Sequence, residues 1–211
     1  MTLPGRTFIA RHGETVFNAA RRMQGDMLDT PLTRTGFAQA NAMGAALAGH
    51  LGPSPELALW SSPSGRALQT LAIIAEHIGA DWHGAARDPR LQEIDVGEWA
   101  GRTYAEIMAD QGDIVDPHIA LFTIRPPGGE WYDDIARRLQ GWIDDVAGQE
   151  GDRLVIMHGM SSRVLRGIML GLPVDPHWKA PIAPSLPQGT MVMIHDGKEE
   201  VVHLGGSARP A

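Results

Sequence analysis

The sequence predicts an α/β domain of three layers, with a mostly parallel central sheet between two layers of helices. Two observations carry that expectation. Short apolar runs alternate with longer segments whose apolar residues recur at helical spacing, which is the pattern of strand–helix–strand units. The chain also holds 43% hydrophobic and 20% charged residues over 211 positions, enough for a full core in one domain. No internal repeat or low-complexity tract interrupts it. The expected unit is therefore a single domain over residues 1–211 with a cap or lid inserted at about 102–128.

The elements follow in order. The run RTFIAR from Arg6 reads as a buried strand. Thr33 or Thr35 opens a helix with Phe37, Ala40, Met43 or Gly44, Leu47 and Leu51 on one face, ending among Gly49 and Gly52. LALWSS from Leu57 is a second strand. Ser62-Pro63 behind it has the form of an N-cap with proline at the first helical position, starting a helix to about Gly79. Thr103 with Glu106 forms a capping-box signature for a short helix. The stretch from Arg102 to Arg125 fits the alternation least well and is closed off by Pro126-Pro127-Gly128-Gly129. Glu130 to Val146 reads as a longer helix. LVIM from Leu154 is a third strand, and a helix from about Ser161 stops at Gly171 with Pro173 beyond it. TMVMIH and EEVVHL flank Asp196-Gly197, a hairpin signal.

Composition excludes several classes of function. Eighteen basic residues against 25 acidic ones give a formal charge of −7, with no basic stripe for nucleic acid. Any anion the chain binds must be held by a few local cations against the overall field. The absence of cysteine removes disulfides, thiolate catalysis and cysteine-based zinc sites. No helical H-x-x-x-H pair suggests a metal, and none is expected, nor any cofactor. The N-terminal MTLPGRTFIA lacks the basic segment and apolar run of a signal peptide. No apolar stretch approaches a membrane span. A cytoplasmic protein without membrane or nucleic-acid partners is the expectation.

The chemistry gathers at strand ends. In FIARHGETVFN (Phe8 to Asn18) the first strand ends at Arg11-His12-Gly13. The second is followed by SSPSGR, which places Arg66 in the first turn of a helix. The third ends at His158-Gly159. In an open parallel sheet, ligands bind beyond the carboxyl ends of the strands, where loops enter helix N-termini. One Arg-His pair alone is ordinarily an exposed ion-pair partner, and one histidine alone is ordinarily a packed structural residue. Three strand ends bearing the same chemistry at one edge point instead to an anion. Arginine forks and helix N-termini match a phosphoryl group. The other histidines, His50, His77, His83, His118, His177, His195 and His203, have no such context and read as surface or packing residues.

These residues carry a resemblance. RHGET with Asn18, then QGDMLDTPLTRTGFAQA, SSPSGRALQT, LQEIDVGEWAG, PPGGE and MHG, in that order and spacing, resemble the histidine phosphatase superfamily, the phosphoglycerate-mutase-like proteins. The likeness runs from Phe8 to about Val192 and implies that family's three-layer fold. It implies His12 as a nucleophile that takes a phosphoryl group as phosphohistidine, for which a neutral imidazole is required. Arg11, Arg66 and His158 would clamp the transferring group. Asn18, the rim residues Gln24 and Gly25, and Gly159 would complete the phosphate site. Among Glu93, Asp95 and Glu98, the resemblance selects Glu93 as general acid and then general base; Asp95 and Glu98 read as solvated or capping carboxylates.

Mutases and phosphatases of this family share the phosphohistidine and differ in what accepts it. Mutases carry a longer, base-rich insertion after the GxWxG segment and an asparagine soon after the second histidine. Here, Arg102 to Arg125 contains no basic residue between its ends and carries the acids Glu106, Asp110, Asp113 and Asp116; Met160 follows His158-Gly159. Both departures favour a metal-independent phosphatase acting on a small phosphorylated metabolite, and the acids would repel a substrate with two anionic groups. A mutase and a non-catalytic phosphate-binding module remain the alternatives. Trp131, where the family usually has serine, could join Trp99, Tyr104 and Phe122 in an aromatic wall beside the leaving group, but packing of the cap is the commoner role for such residues. The exposed helices permit a homodimer without requiring one.

Overall fold

The computed structural model describes residues 3–52 and 55–206; positions 1–2 and 207–211 of the expected 1–211 domain lie outside the described residues. Six strands form one sheet in the order β3-β2-β4-β1-β5-β6: β1 (Thr7–Arg11), β2 (Leu57–Ser61), β3 (Ala86–Arg87), β4 (Asp152–Met157), β5 (Met191–His195) and β6 (Lys198–His203). The pairs β3/β2, β2/β4 and β4/β1 are parallel, and the hairpin β5–β6 adds antiparallel to β1. The sheet is thus mostly parallel, with an antiparallel edge.

The helices are α1 (Val16–Ala19), α2 (Arg34–Leu51), α3 (Gly65–Ile78), α4 (Tyr104–Gln111), α5 (Tyr132–Val146) and α6 (Gly159–Met169). Side chains on a strand alternate between faces, and the core divides accordingly. Phe8, Ala10, Leu154, Ile156 and Met191 pack with Met43, Leu47, Leu71 and Ile74 of α2 and α3. Ile9, Val155, Met157 and Val192 face the opposite cluster with Ile135, Leu139 and Trp142 of α5 and Val164 and Leu165 of α6. β1 and β4, at the centre of the sheet, are buried on both sides, which is why they read as unbroken apolar runs. Among the described residues, no helix is long and apolar enough to cross a membrane.

Several boundaries depart from the sequence reading. α2 begins as expected from Thr33, whose hydroxyl accepts from the Gly36 amide, but Phe37 is exposed, so the buried stripe starts at Gly36 and Ala40. α3 takes Ser64, not Ser62, as its N-cap and ends at Gly79 in the left-handed conformation. α6 starts two residues before the expected Ser161, with His158 itself at the N-cap. The last turn, Asp196-Gly197, has φ of 49° and 69°, the paired positive values of a two-residue hairpin turn.

The segment after the Gly97–Trp99 turn builds the cap. Thr103 and Glu106 close the expected capping box on α4. Three backbone hydrogen bonds staple the base of the cap to the loop after β1: Met23 N to Arg102 O, Gly101 N to Met23 O, and Tyr104 N to Arg21 O. Farther along, the Phe122 amide donates to the Tyr132 hydroxyl at 2.9 Å, tying the cap to α5.

Candidate active site

β2, β4 and β1 are neighbours and parallel, so their carboxyl ends open on one edge of the sheet. Arg11-His12, Ser61-Ser62 and Met157-His158 meet there. The His12 and His158 rings lie edge to face with centroids 5.1 Å apart. The convergence expected of the three strand ends is therefore present, at hydrogen-bonding range.

His12 is buried, at 1% exposure, and its Nδ1 lies 2.6 Å from the Gly13 carbonyl oxygen. A carbonyl only accepts, so Nδ1 carries the proton and Nε2 keeps its lone pair. Burial, together with the charges of Arg66 and Arg11, holds the imidazole well below the usual histidine range. Removal from water disfavours the cation, and neighbouring cations disfavour it further. A neutral ring with a free Nε2 is the form a nucleophile needs.

His158 is fixed in the same way. Arg66 Nε donates to its Nδ1 at 3.2 Å, so the proton sits on Nε2, which donates to Ser62 Oγ at 2.8 Å. This use of the Ser62 hydroxyl accounts for the later start of α3. Burial and then the Arg66 charge lower the His158 pKa well below the ordinary value. Arg66 is fully buried and has four of its five N–H groups engaged: besides Nε on His158, Nη1 donates to Met27 O and Thr30 Oγ1, and Nη2 donates once, to Gly25 O. Its pKa is brought down to about 10, chiefly by burial, which leaves it charged at neutral pH.

The four strand-end residues therefore stand in two layers. Arg11 and His12 line an open cleft of about 360 Å³, together with Asn18, Gln24, Gly25, Glu93 and Gly159. Arg66 and His158 are not among its lining residues; His158 packs edge to face on His12, and one Nη2 hydrogen of Arg66 is left over from its bonds to protein groups. Arg11 Nε is buried without a hydrogen-bond partner among the described residues, a guanidinium group awaiting an acceptor. Gly159 makes room for it, since a Cβ there would come within 3.1 Å of Arg11 Cζ. Gly25 is required twice over, by φ of +48° and by a would-be Cβ 2.9 Å from the Ile94 carbonyl oxygen.

Glu93 reaches the cleft from the turn before Ile94. Its Oε1 accepts from the Ile94 and Ser161 amides at 3.0 and 2.9 Å, and its Oε2 from Met160 at 3.0 Å. The carboxylate is thus the cap that α6 lacks at its own N-cap, His158. Oε1 takes two donors and is full; Oε2 takes one and keeps a position free. Arg138 holds the Glu93 backbone by donating to its carbonyl at 3.2 Å while it grips Glu130 in a two-pronged pair. Glu130 in turn accepts from the Asp95 amide, which is the service PPGGE performs. Asp95 caps Gly97 and Glu98 is exposed.

Some residues escaped the sequence reading. Gln188 donates through Nε2 to Asn18 Oδ1 at 2.9 Å, and the Thr15 amide donates to the same oxygen, so Asn18 offers its amide nitrogen to the cleft. Nothing local marks Gln188; 170 residues separate it from its partner. Arg21, Arg22 and Arg163 also line the cleft. The expected repulsion of a second anion by the cap acids is not what the structure shows. Glu106 caps α4, Asp110 pairs with Arg102, and Asp116 caps the turn at His118 and Ile119; none of these acids lines the cleft. Its cations are Arg11, Arg21, Arg22 and Arg163, against the acids Glu14 and Glu93. Of the four aromatics, Tyr104 and Phe122 line the cleft, whereas Trp99 and Trp131 pack in the core. Among the described residues, no group of three or more metal-ligating side chains is found.

The profile of the histidine phosphatase superfamily (branch 1) matches residues 7–205. The Erwinia tasmaniensis protein named "Probable phosphoglycerate mutase GpmB" is 34% identical over 176 residues, covering 81% of this chain and 77% of that protein. Its namesake from Yersinia pestis is 32% identical over 173 residues, covering 80% and 76%. Among solved structures, mycobacterial glucosyl-3-phosphoglycerate phosphatase, determined with VO3, superposes with a TM-score of 0.73 at 27% identity, over 97% of this chain and all of that one. A structure titled "Mycobacterial hydrolase 1" gives 0.73 at 28%, over 97% and 99%.

Proposed function

The chain belongs to the histidine phosphatase superfamily, and from that premise we propose that it is a phosphatase that hydrolyses a phosphomonoester through a phosphohistidine on His12. The observation that carries this reading is the tautomer of His12. Its Nδ1 proton is committed to the Gly13 carbonyl, so the buried ring presents the Nε2 lone pair beside Arg11.

The step is an in-line displacement. His12 Nε2 forms a bond to phosphorus as the bond from phosphorus to the ester oxygen breaks. The departing oxygen takes a proton from Glu93 Oε2, the carboxyl oxygen with a free position. Arg11 and the Asn18 amide nitrogen meet the phosphoryl oxygens directly, where charge redistributes in the transition state. Arg66 and His158 act from the layer behind, Arg66 as a fixed positive charge and His158 as the packed ring that orients His12. Water then attacks the phosphohistidine, Glu93 takes its proton, and inorganic phosphate leaves with His12 restored.

Two features favour water as the acceptor over a second substrate position. The cap contributes no basic residue between Arg102 and Arg125, and Met160 stands where mutases of the resemblance carry asparagine. The structural neighbour titled as a phosphatase also aligns over 97% of this chain. A mutase is the second reading, favoured by the curated relatives' names and by the arginines in the cleft. Incubation with aryl phosphates and phosphorylated metabolites in the presence of chelator tests both. Release of inorganic phosphate, lost in His12→Ala, supports the phosphatase; isomer exchange outrunning phosphate release supports the mutase. A trapped phosphate without covalent phosphohistidine would refute both.

A further inference from the structure

A second cavity of about 930 Å³ lies beside the catalytic cleft, and the two share Ala120, Arg163 and Ser185 as wall. Apart from that wall it is mainly apolar, with Leu172, Val174, Trp178 and Ile182 among its lining residues. Arg163 stands at the junction. It is only 6% exposed, and three of its hydrogen bonds go to backbone carbonyls: Nε to Ala183 O at 2.9 Å, and Nη1 to Ile119 O and Ala120 O at 2.9 and 3.2 Å. Nη2 makes none among the described residues, and it is not sealed from the cavities. No described carboxylate forms an ion pair with this guanidinium. Burial lowers the Arg163 pKa while the Glu93 charge acts against that from a distance, and the hydrogen bonds the side chain makes go to neutral carbonyls. A ligand anion arriving at Nη2 therefore gains charge-assisted bonds without displacing a protein partner.

We propose that Arg163 and the apolar cavity form a leaving-group subsite, and that the substrate is a phosphate ester whose alcohol portion is amphipathic. An anionic oxygen group, such as a carboxylate, docks on Arg163 Nη2, and an apolar or ring-bearing body fills the space lined by Val174 and Trp178. The Glu106, Asp110 and Asp116 carboxylates, engaged in the cap itself, leave this path open. The subsite rests on the phosphoryl-transfer reading for its purpose but not for its detection, because it is a binding site in its own right.

The test compares phenyl phosphate, naphthyl phosphate and 6-carboxy-2-naphthyl phosphate on the full chain. The expected order of kcat/KM is lowest for phenyl and highest for the carboxylated naphthyl ester, with the carboxylate adding about tenfold or more. In Arg163→Gln the carboxylate advantage falls to near unity, whatever the change in the phenyl rate, so the ratio corrects for any loosening of the cap. In Val174→Asp, at an exposed position on the cavity, the ratio of the naphthyl to the phenyl rate falls toward unity; a ratio equal to wild type overturns the apolar part of the subsite. A wild-type protein indifferent to the carboxylate, or an advantage that survives Arg163→Gln, overturns the proposal. Should none of the esters be turned over, the proposed function fails, and the subsite is judged by calorimetric titration with 6-hydroxy-2-naphthoate. Binding to wild type that weakens about tenfold or more in Arg163→Gln upholds the subsite; no binding, or equal binding, overturns it.

Discussion

Glu93 carries two duties that one substitution can separate. Glu93→Gln keeps the size of the side chain and one oxygen, which continues to accept from the Ile94 and Ser161 amides. Its new NH2 group then faces the Met160 N–H that formerly donated to Oε2. One hydrogen bond becomes a donor–donor contact at the start of α6. The lost bond and the unsatisfied amide together cost about 1–3 kcal/mol of folding stability, readable by urea unfolding. The proton is the other duty. Loss of a general acid lowers kcat by about 10²–10⁴-fold, but only where the departing oxygen needs protonation. The assay is therefore release of phosphate from phenyl phosphate and from 4-nitrophenyl phosphate, whose nitrophenolate leaves readily unprotonated. Wild type should differ little between the two; Glu93→Gln should lose far more on the phenyl ester. Equal losses on both would refute the acid assignment, reduce Glu93 to a cap for α6, and require another proton donor.

Three further outcomes follow from named contacts. His12 and His158 are both held neutral in the folded chain, below their ordinary value of 6.5; the unfolded chain binds more protons below that pH, so stability falls as pH drops through 6.5 toward the folded values. The slope approaches about 1.4 kcal/mol per pH unit for each ring, and unfolding curves between pH 5 and about 8 should steepen on the acid side and flatten above. Arg166, 2% exposed, grips Glu199 of β6 through Nε and Nη2 at 2.5 and 2.8 Å; Glu199→Ala strands that charge and should cost about 3 kcal/mol in urea unfolding, with kcat unchanged. Gly159→Ala pushes a methyl to within 3.1 Å of Arg11 Cζ, and weaker inhibition by inorganic phosphate, by about tenfold, with an unchanged melting temperature, is the expected signature.

The sequence made the frame of the site legible because its signals are local. Arg11-His12, Ser61-Ser62 and His158 each stand at the carboxyl end of an apolar strand, and neighbouring parallel strands place such ends together. What escaped was set by contacts between distant segments. Ser62-Pro63 has the composition of a helix start, yet the Ser62 hydroxyl is taken by His158 Nε2 from 96 residues away, and α3 begins later. His158 has no capping side chain to announce α6; the cap is Glu93, from 67 and 68 residues earlier. Arg163 reads as an ordinary helical cation, and only the packing of Ile119, Ala120 and Ala183 around it shows that one amino group is left over. The acids of the cap misled for the opposite reason: their charge is visible in the sequence, but the amides and arginine that absorb it become visible only once the loop is folded.

The two borders of the sheet bear on how the protein behaves when crowded. On one side it stops at β3, two residues long, too short to template a neighbouring chain. On the other it stops at β6, whose KEEVVH sequence exposes Lys198 and Glu200 and which pairs only with β5 among the described residues. An open strand invites another copy to continue the ladder, and charged side chains make that continuation unfavourable. Replacing those charges with apolar residues would turn a quiet border into a seed for fibrous association, so a variant of β6 should be watched for turbidity before it is assayed for anything else.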